Sequence, residues 1–213
     1  LARRLSERVS GTEELEQAWR EALYLLADEI RVCESEILER GGVVALVGPS
    51  GAGKTTLLTK LLPLLTARGI RVGMIKHAHH NFDIDIPGKD SYELRKAGAR
   101  QVLIASDRRS ALMTEYVEIR EPQLEELIDQ LTLDAADLIL VEGFRHVPFP
   151  KIELHRPAQK QPLLYREDDS IIAVATDFPV NTDPLPRLNL NNPIEIGKFV
   201  LEWLDGHSQP HAN

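Results

Sequence analysis

Beyond residue 42 the apolar positions fall into short unbroken runs, separated by segments with helical spacing. Val43-Val44-Ala45-Leu46-Val47, Leu138-Ile139-Leu140-Val141 and Ile171-Ile172-Ala173-Val174-Ala175 are continuous apolar stretches of strand length, the kind that lies in the middle of a parallel sheet. Ile70 to Ile75 and Ile152-Glu153-Leu154 read as further strands. Val102 to Ala105 and Ala111 to Thr114 read as strands joined by a turn at Asp107-Arg108-Arg109. Between them, Thr56 to Ala67, Ser91 to Ala97, Pro122 to Leu131 and Asn192 to Leu204 carry helical spacing. Pro63 is expected to kink or break the first of these, because it lacks the N–H that the ladder needs. Strands alternating with helices predict an α/β, three-layer fold with a mostly parallel central sheet and ligands at the strand C-termini.

Residues 1–42 follow a different pattern. Ser10 with Glu13 forms a capping box and Gly41-Gly42 a stop. Between them Leu15, Trp19, Ala22, Leu26, Ile30, Cys33 and Ile37 recur every three or four residues, an apolar stripe on a helix about 40 Å long. The predicted organisation is a helical extension over 1–42, a nucleotide-binding domain over 43–206 and a disordered tail over 207–213. A first residue of Leu instead of Met suggests a processed or excised chain.

Composition narrows the classes. The 213 residues carry a formal charge of −8, which argues against nucleic-acid binding through a basic surface. No apolar run approaches the ~20 residues that cross a bilayer. The single cysteine excludes an internal disulfide framework and suits a reducing cytoplasm.

The strongest chemical signal is Gly48-Pro49-Ser50-Gly51-Ala52-Gly53-Lys54-Thr55, a match to the phosphate-loop pattern G-x-x-x-x-G-K-[ST] between a strand and a helix. Successive backbone N–H groups and the helix N-terminus, reached at Thr56, are expected to hold nucleotide phosphates. Lys54 is placed to neutralise β- and γ-phosphate charge, and Thr55 to give a hydroxyl to Mg²⁺. Glu142, directly after an apolar strand, is the expected metal-side acid, and Lys54 with Glu142 the expected catalytic pair. Glu in place of the commoner Asp suits action through a metal-bound water. Gly143 leaves room for a γ-phosphate, whereas Asp137, at the other end of that strand, reads as a cap or turn residue.

Lys76 to Asp90 holds three histidines and three aspartates. The segment has no thiolate and no helical H-x-x-x-H pair, which favours a phosphate-facing switch loop over a metal centre. In that reading Lys76 and Lys89 bind anions, Asp83 or Asp85 approaches Mg²⁺, and histidines such as His77 and His80 contact nucleotide or a second anionic ligand. Arg95, just beyond the loop, is a further anion contact. Thr176-Asp177 ends a buried strand, and an Asp there accepts from guanine N1–H and N2–H₂ together, which favours GTP over ATP. The N-K-x-D sequence of regulatory GTPases is absent, and no D-x-x-G follows Glu142.

G-P-S-G-A-G-K-T-T-L, I-K-H-A-H-H-N-F-D-I-D-I-P-G-K-D-S-Y-E-L-R-K-A-G-A, D-L-I-L-V-E-G-F-R and A-V-A-T-D together closely resemble the MobB family, the molybdopterin-guanine dinucleotide biosynthesis adaptor proteins. The resemblance spans about residues 43–205 and says nothing of the N-terminal extension. It implies a cytoplasmic, homodimeric GTP-binding adaptor with weak GTPase activity. The implied partner is a MobA-type transferase that attaches GMP to molybdopterin or its molybdenum-loaded form. Carried onto this sequence, Gly48 to Thr56 would hold the phosphates, Glu142 would belong to the Mg²⁺ site, and His77 to Asp90 would face the GTP, the precursor or the partner. The competing readings are a small-molecule kinase, with Arg108-Arg109 as a short lid and Asp83 or Asp85 as base, and a metallochaperone GTPase using the histidines.

Overall fold

The computed structural model describes residues 42–78, 82–131 and 136–207. The expected N-terminal helix, His79, His80, Asn81 and the expected tail beyond 207 lie outside them. The described residues divide into two compact units, the first within 42–77 and 127–207, the second within 78–126.

The first unit is built on a parallel sheet. β1 (Gly42–Val47) leads through the glycine-rich loop into α1 (Lys54–Thr66) and then β2 (Val72–Lys76). β5 (Leu138–Glu142), β6 (Lys151–His155), β7 (Ile171–Thr176) and β8 (Arg187–Asn189) follow later in the chain, and α4 (Pro193–His207) closes it. The strand order is β2-β5-β1-β6-β7-β8 with every neighbouring pair parallel, so the α/β reading of the hydrophobic pattern is correct. β1 sits between β5 and β6: the chain leaves it for β2 on one side, returns through β5 and then crosses to β6 on the other. Such a reversal opens a crevice at the strand C-termini.

Burial explains why these runs are strands. Val44, Leu46, Leu138, Leu140, Ile152, Leu154, Ala173 and Ala175 form one core with Leu57, Leu58, Leu61 and Leu65 of α1 and Ile196, Val200, Leu201 and Leu204 of α4. The expected break at Pro63 is corrected: α1 runs unbroken through it. Burial of Leu61, Leu64 and Leu65 holds the last turn, and the Thr66 hydroxyl donates to Leu62 O at 3.0 Å. Tertiary packing there outweighs the local cost of proline. β8 escaped the sequence pattern because Leu188 is its only buried residue.

Asp137 does more than end a turn. Its carboxylate accepts from Arg71 N at 2.7 Å, Arg71 Nε at 3.0 Å and Arg71 Nη2 at 2.5 Å, and its carbonyl accepts from Gly42 N at 3.1 Å. The starts of β1, β2 and β5 are thereby aligned, which sets the level of their C-terminal ends.

The second unit contains α2 (Asp90–Lys96), packed on a two-stranded antiparallel ribbon of β3 (Gln101–Ala105) and β4 (Ser110–Thr114). Val102 pairs with Met113, both buried, while Leu103 pairs with Leu112, both exposed. α3 (Leu124–Gln130) spans the boundary between the units.

Candidate functional site

The loop from Gly48 to Gly53 turns at the C-terminal end of the central strand. Gly48 has φ +140°, and a Cβ there would lie 2.4 Å from Leu154 O, so no other residue fits without moving β6. Ala52 is fully buried and its N–H donates to Pro49 O at 3.2 Å, which closes the loop on itself. α1 then begins without a side-chain cap and without an acidic residue in its first turn. The helix thus sets neither a capping side chain nor an acidic residue of its own against its first N–H groups, which suits an anion site.

Lys54 folds back over the loop, its Nζ donating to Gly48 O at 2.8 Å and Pro49 O at 3.0 Å. Burial pushes its pKa below the ordinary lysine value, Glu142 opposes that shift and Lys76 adds to it. The loop thus holds a partly desolvated cation on neutral carbonyls, and a phosphate would compensate that charge better.

Glu142 ends β5 level with Leu46 on one side and Lys76 on the other. Thr55 Oγ1 donates to its Oε2 at 3.0 Å and reaches Oε1 at 3.3 Å, while Lys76 Nζ stands 3.6 Å from Oε2. The sheet register therefore brings the predicted metal ligands Thr55 and Glu142 together across 87 residues of sequence. His77 N donates to Glu142 O at 2.8 Å, and its ring stacks on Phe144 with centroids 4.8 Å apart. Gly143, at φ +109°, leaves no room for a side chain, since a Cβ would lie 2.7 Å from His77 Cβ. Phe144 follows at φ 54°, a left-handed conformation costly for an aromatic residue.

At the end of β7, Thr176 is buried and its hydroxyl donates to Phe178 O at 2.9 Å, shaping the turn that presents Asp177. The Asp177 carboxylate is paired with Arg156, a residue that pattern reading passed over. Arg156 Nε also donates to Ala52 O at 2.8 Å, and Gln159 Nε2 donates to Ser50 O at 3.0 Å. Both were missed because their role depends on β6 lying beside β1, and no local motif announces that neighbour. The available signal was position: Arg156 is the first residue past a strand, at the edge where ligands bind.

Within the second unit, the carboxylate of Asp85 is nearly buried and accepts from Ser91 Oγ at 3.1 Å and Arg95 Nε at 3.0 Å. Arg95 also pairs with Asp83 and with Glu115, the latter at 2.6 Å. The hydrogen bonds it donates to Glu115 and Asp85 raise its pKa further above the usual guanidinium value. Asp83, Asp85 and Arg95 therefore satisfy one another inside their own unit. Lys89 is exposed at the start of α2, and His80 lies outside the described residues. Among the described residues no group of three or more His, Cys, Asp or Glu side chains is placed to hold a metal ion.

The donor set fits a triphosphate with its cation: a glycine loop ringed by N–H groups, a desolvated lysine, and a hydroxyl–carboxylate pair at the loop's end. A family model described as molybdopterin guanine dinucleotide synthesis protein B matches residues 43–177. The molybdopterin-guanine dinucleotide biosynthesis adapter protein of Escherichia coli (strain K12) is 50% identical over 163 residues, covering 76% of this chain and 93% of that protein. Its counterpart in Haemophilus influenzae is 44% identical over 162 residues, covering 76% of this chain and 89% of that protein. A crystal structure of molybdopterin-guanine biosynthesis protein B aligns with a TM-score of 0.60 at 28% identity, covering 76% of this chain and 99% of that one.

Proposed function

The chain belongs to the MobB family, and from that premise we propose that it is a GTP-binding adapter of molybdopterin-guanine dinucleotide biosynthesis whose nucleotide sits on the Gly48–Thr56 loop. The observation that carries the reading is the Lys54 ammonium, drawn onto its own loop carbonyls and partly desolvated beside the Thr55–Glu142 pair. Gly48 to Thr56 and Lys54 would hold the phosphates; Thr55 and Glu142 would hold Mg²⁺, which would supply charge neutralisation when bound. Lys76, ion-paired to Glu142, would meet the γ-phosphate together with His77 and Gly143. Asp177 and Thr176 read the guanine. Lys89 and His80 belong to the proposed partner- or precursor-facing segment. Asp83, Asp85 and Arg95 serve that segment by holding it in shape.

Weak GTP hydrolysis is part of the proposal. Glu142 is held by Thr55 and Lys76, an arrangement suited to a metal-bound water more than to taking a proton from an attacking one. The partner is a MobA-type guanylyltransferase acting on molybdopterin or its molybdenum-loaded form, and the compartment is the cytoplasm. Among the described residues no helix is long and apolar enough to cross a membrane. The chain self-associates as a homodimer, and the exposed Leu103–Leu112 pair on the outer face of the ribbon supports an apolar contact there.

Calorimetric titration with GTP and with ATP, each with Mg²⁺, tests the site. GTP is expected to bind more tightly than ATP, and Asp177→Asn to narrow the difference. Equal affinities in the wild-type protein would contradict guanine selection, an unchanged difference in Asp177→Asn would place the base elsewhere, and phosphorylation of an added acceptor would contradict the adapter reading.

A further inference from the structure

Four main-chain carbonyls of the phosphate loop accept from side chains, those of Gly48 and Pro49 from Lys54 and two others from side chains beyond another strand end. The outward pair, at Ser50 and Ala52, is held by Gln159 and Arg156, both from the segment directly after β6. That segment is stiffened by a 3-10 turn over Pro157–Gln159, in which Gln159 N donates to Arg156 O at 2.9 Å. The fit is close: a Cβ on Gly53 would lie 3.2 Å from Arg156 Nη2, and a Cβ on Gly51 would lie 3.3 Å from Gln159 Nε2. Two glycines of the motif thus make room for the braces as well as for the loop's turn.

We propose that Arg156 is a positioning residue of the nucleotide site, holding the phosphate loop in its binding shape through Ala52 O, with Asp177 as the anchor that aims its guanidinium. The peptide whose carbonyl Arg156 grips carries the N–H of Gly53. A charged donor on that carbonyl fixes the plane of the peptide and strengthens the dipole its N–H directs at an anion. Gln159 does the same, without charge, for the peptide joining Ser50 to Gly51. The Asp177 carboxylate neutralises Arg156, so that the guanidinium stays on the loop and is not drawn onto the bound anion. Asp177 therefore has a role at the phosphate end besides the one proposed for it toward the base. The inference rests on the reading of this loop as the phosphate site.

Binding to the full chain with Mg²⁺ tests it, using inorganic tripolyphosphate as a probe with no base, alongside GTP. Arg156→Ala is expected to weaken both ligands at least fivefold, with the unfolding temperature of the unliganded protein within a few degrees of wild type. Arg156→Lys should not restore binding, because one ammonium cannot span Ala52 O and Asp177 together. Asp177→Asn should also weaken tripolyphosphate. The double variant Arg156→Ala/Asp177→Asn should lose no more than the weaker-binding single one, since the two act as a unit. Tripolyphosphate affinity within twofold of wild type in Arg156→Ala, or in Asp177→Asn, would overturn the inference, as would additive losses. Failure of the underlying reading is separately visible, because Lys54→Ala would then leave tripolyphosphate binding intact.

Discussion

Removing the Lys54 ammonium takes away a cation that the loop keeps partly out of water and bonded to Gly48 O and Pro49 O. Lys54→Ala is expected to lower GTP affinity about a hundredfold, the scale of one or two charge-assisted hydrogen bonds, with little change in thermal unfolding. Calorimetry and a melting curve on the same sample check both halves. Glu142→Gln separates cation from phosphate: with Mg²⁺ its GTP affinity should fall about tenfold, and in EDTA it should match wild type. A loss equal in both conditions would mean Glu142 supports the fold of the loop instead of the cation. These residues were legible because the motif and the strand-end rule are local. Lys54 and Thr55 are fixed by spacing, and Glu142 by its place one step beyond an apolar run. Arg156 and Gln159 were not legible, because what gives them a task is the pairing of β1 with β6, strands over a hundred residues apart.

At the scale of elements, the Arg71–Asp137 pair aligns three strand starts and so sets where their functional ends emerge. Hydrogen bonds from Arg71 hold the Asp137 carboxyl below the usual carboxylate range, against the opposing effect of burial. A carboxyl depressed in the folded state stabilises the fold at pH above its unfolded value, near 3.9, and loses that contribution as pH falls through its folded value. Asp137→Asn is therefore expected to cost about 2 kcal/mol at pH 7, a moderate figure because the Arg71 side chain is 55% exposed. In urea unfolding the gap from wild type should hold steady above about pH 5 and close below about pH 4. A gap unchanged at pH 3 would place the stabilisation elsewhere. The strands themselves were readable from unbroken apolar runs, and the ribbon from two short runs about a turn. α1 shows the limit of local reading: Pro63 signals a break, yet the buried leucines on either side carry the helix past it.

Across the whole molecule, the two units divide the proposed work. The parallel-sheet unit carries the nucleotide site. The unit over residues 78–126 carries an ion-pair cluster centred on Arg95 and an exposed apolar ribbon face. Leu103→Glu with Leu112→Glu should leave the folded chain intact, because both side chains are already exposed, and should convert a dimer to a monomer in sedimentation. A wild-type protein that sediments as a monomer at micromolar concentration would remove the dimer from the account. The central claim is that this chain serves guanine dinucleotide formation through a nucleotide held on the Gly48–Thr56 loop. Guanylyl transfer to molybdopterin by a purified MobA-type transferase, measured with wild-type adapter, with Lys54→Ala and with none, tests it most directly. The account predicts a higher product yield with wild type and none of that gain with Lys54→Ala. A gain of equal size from both proteins would contradict it.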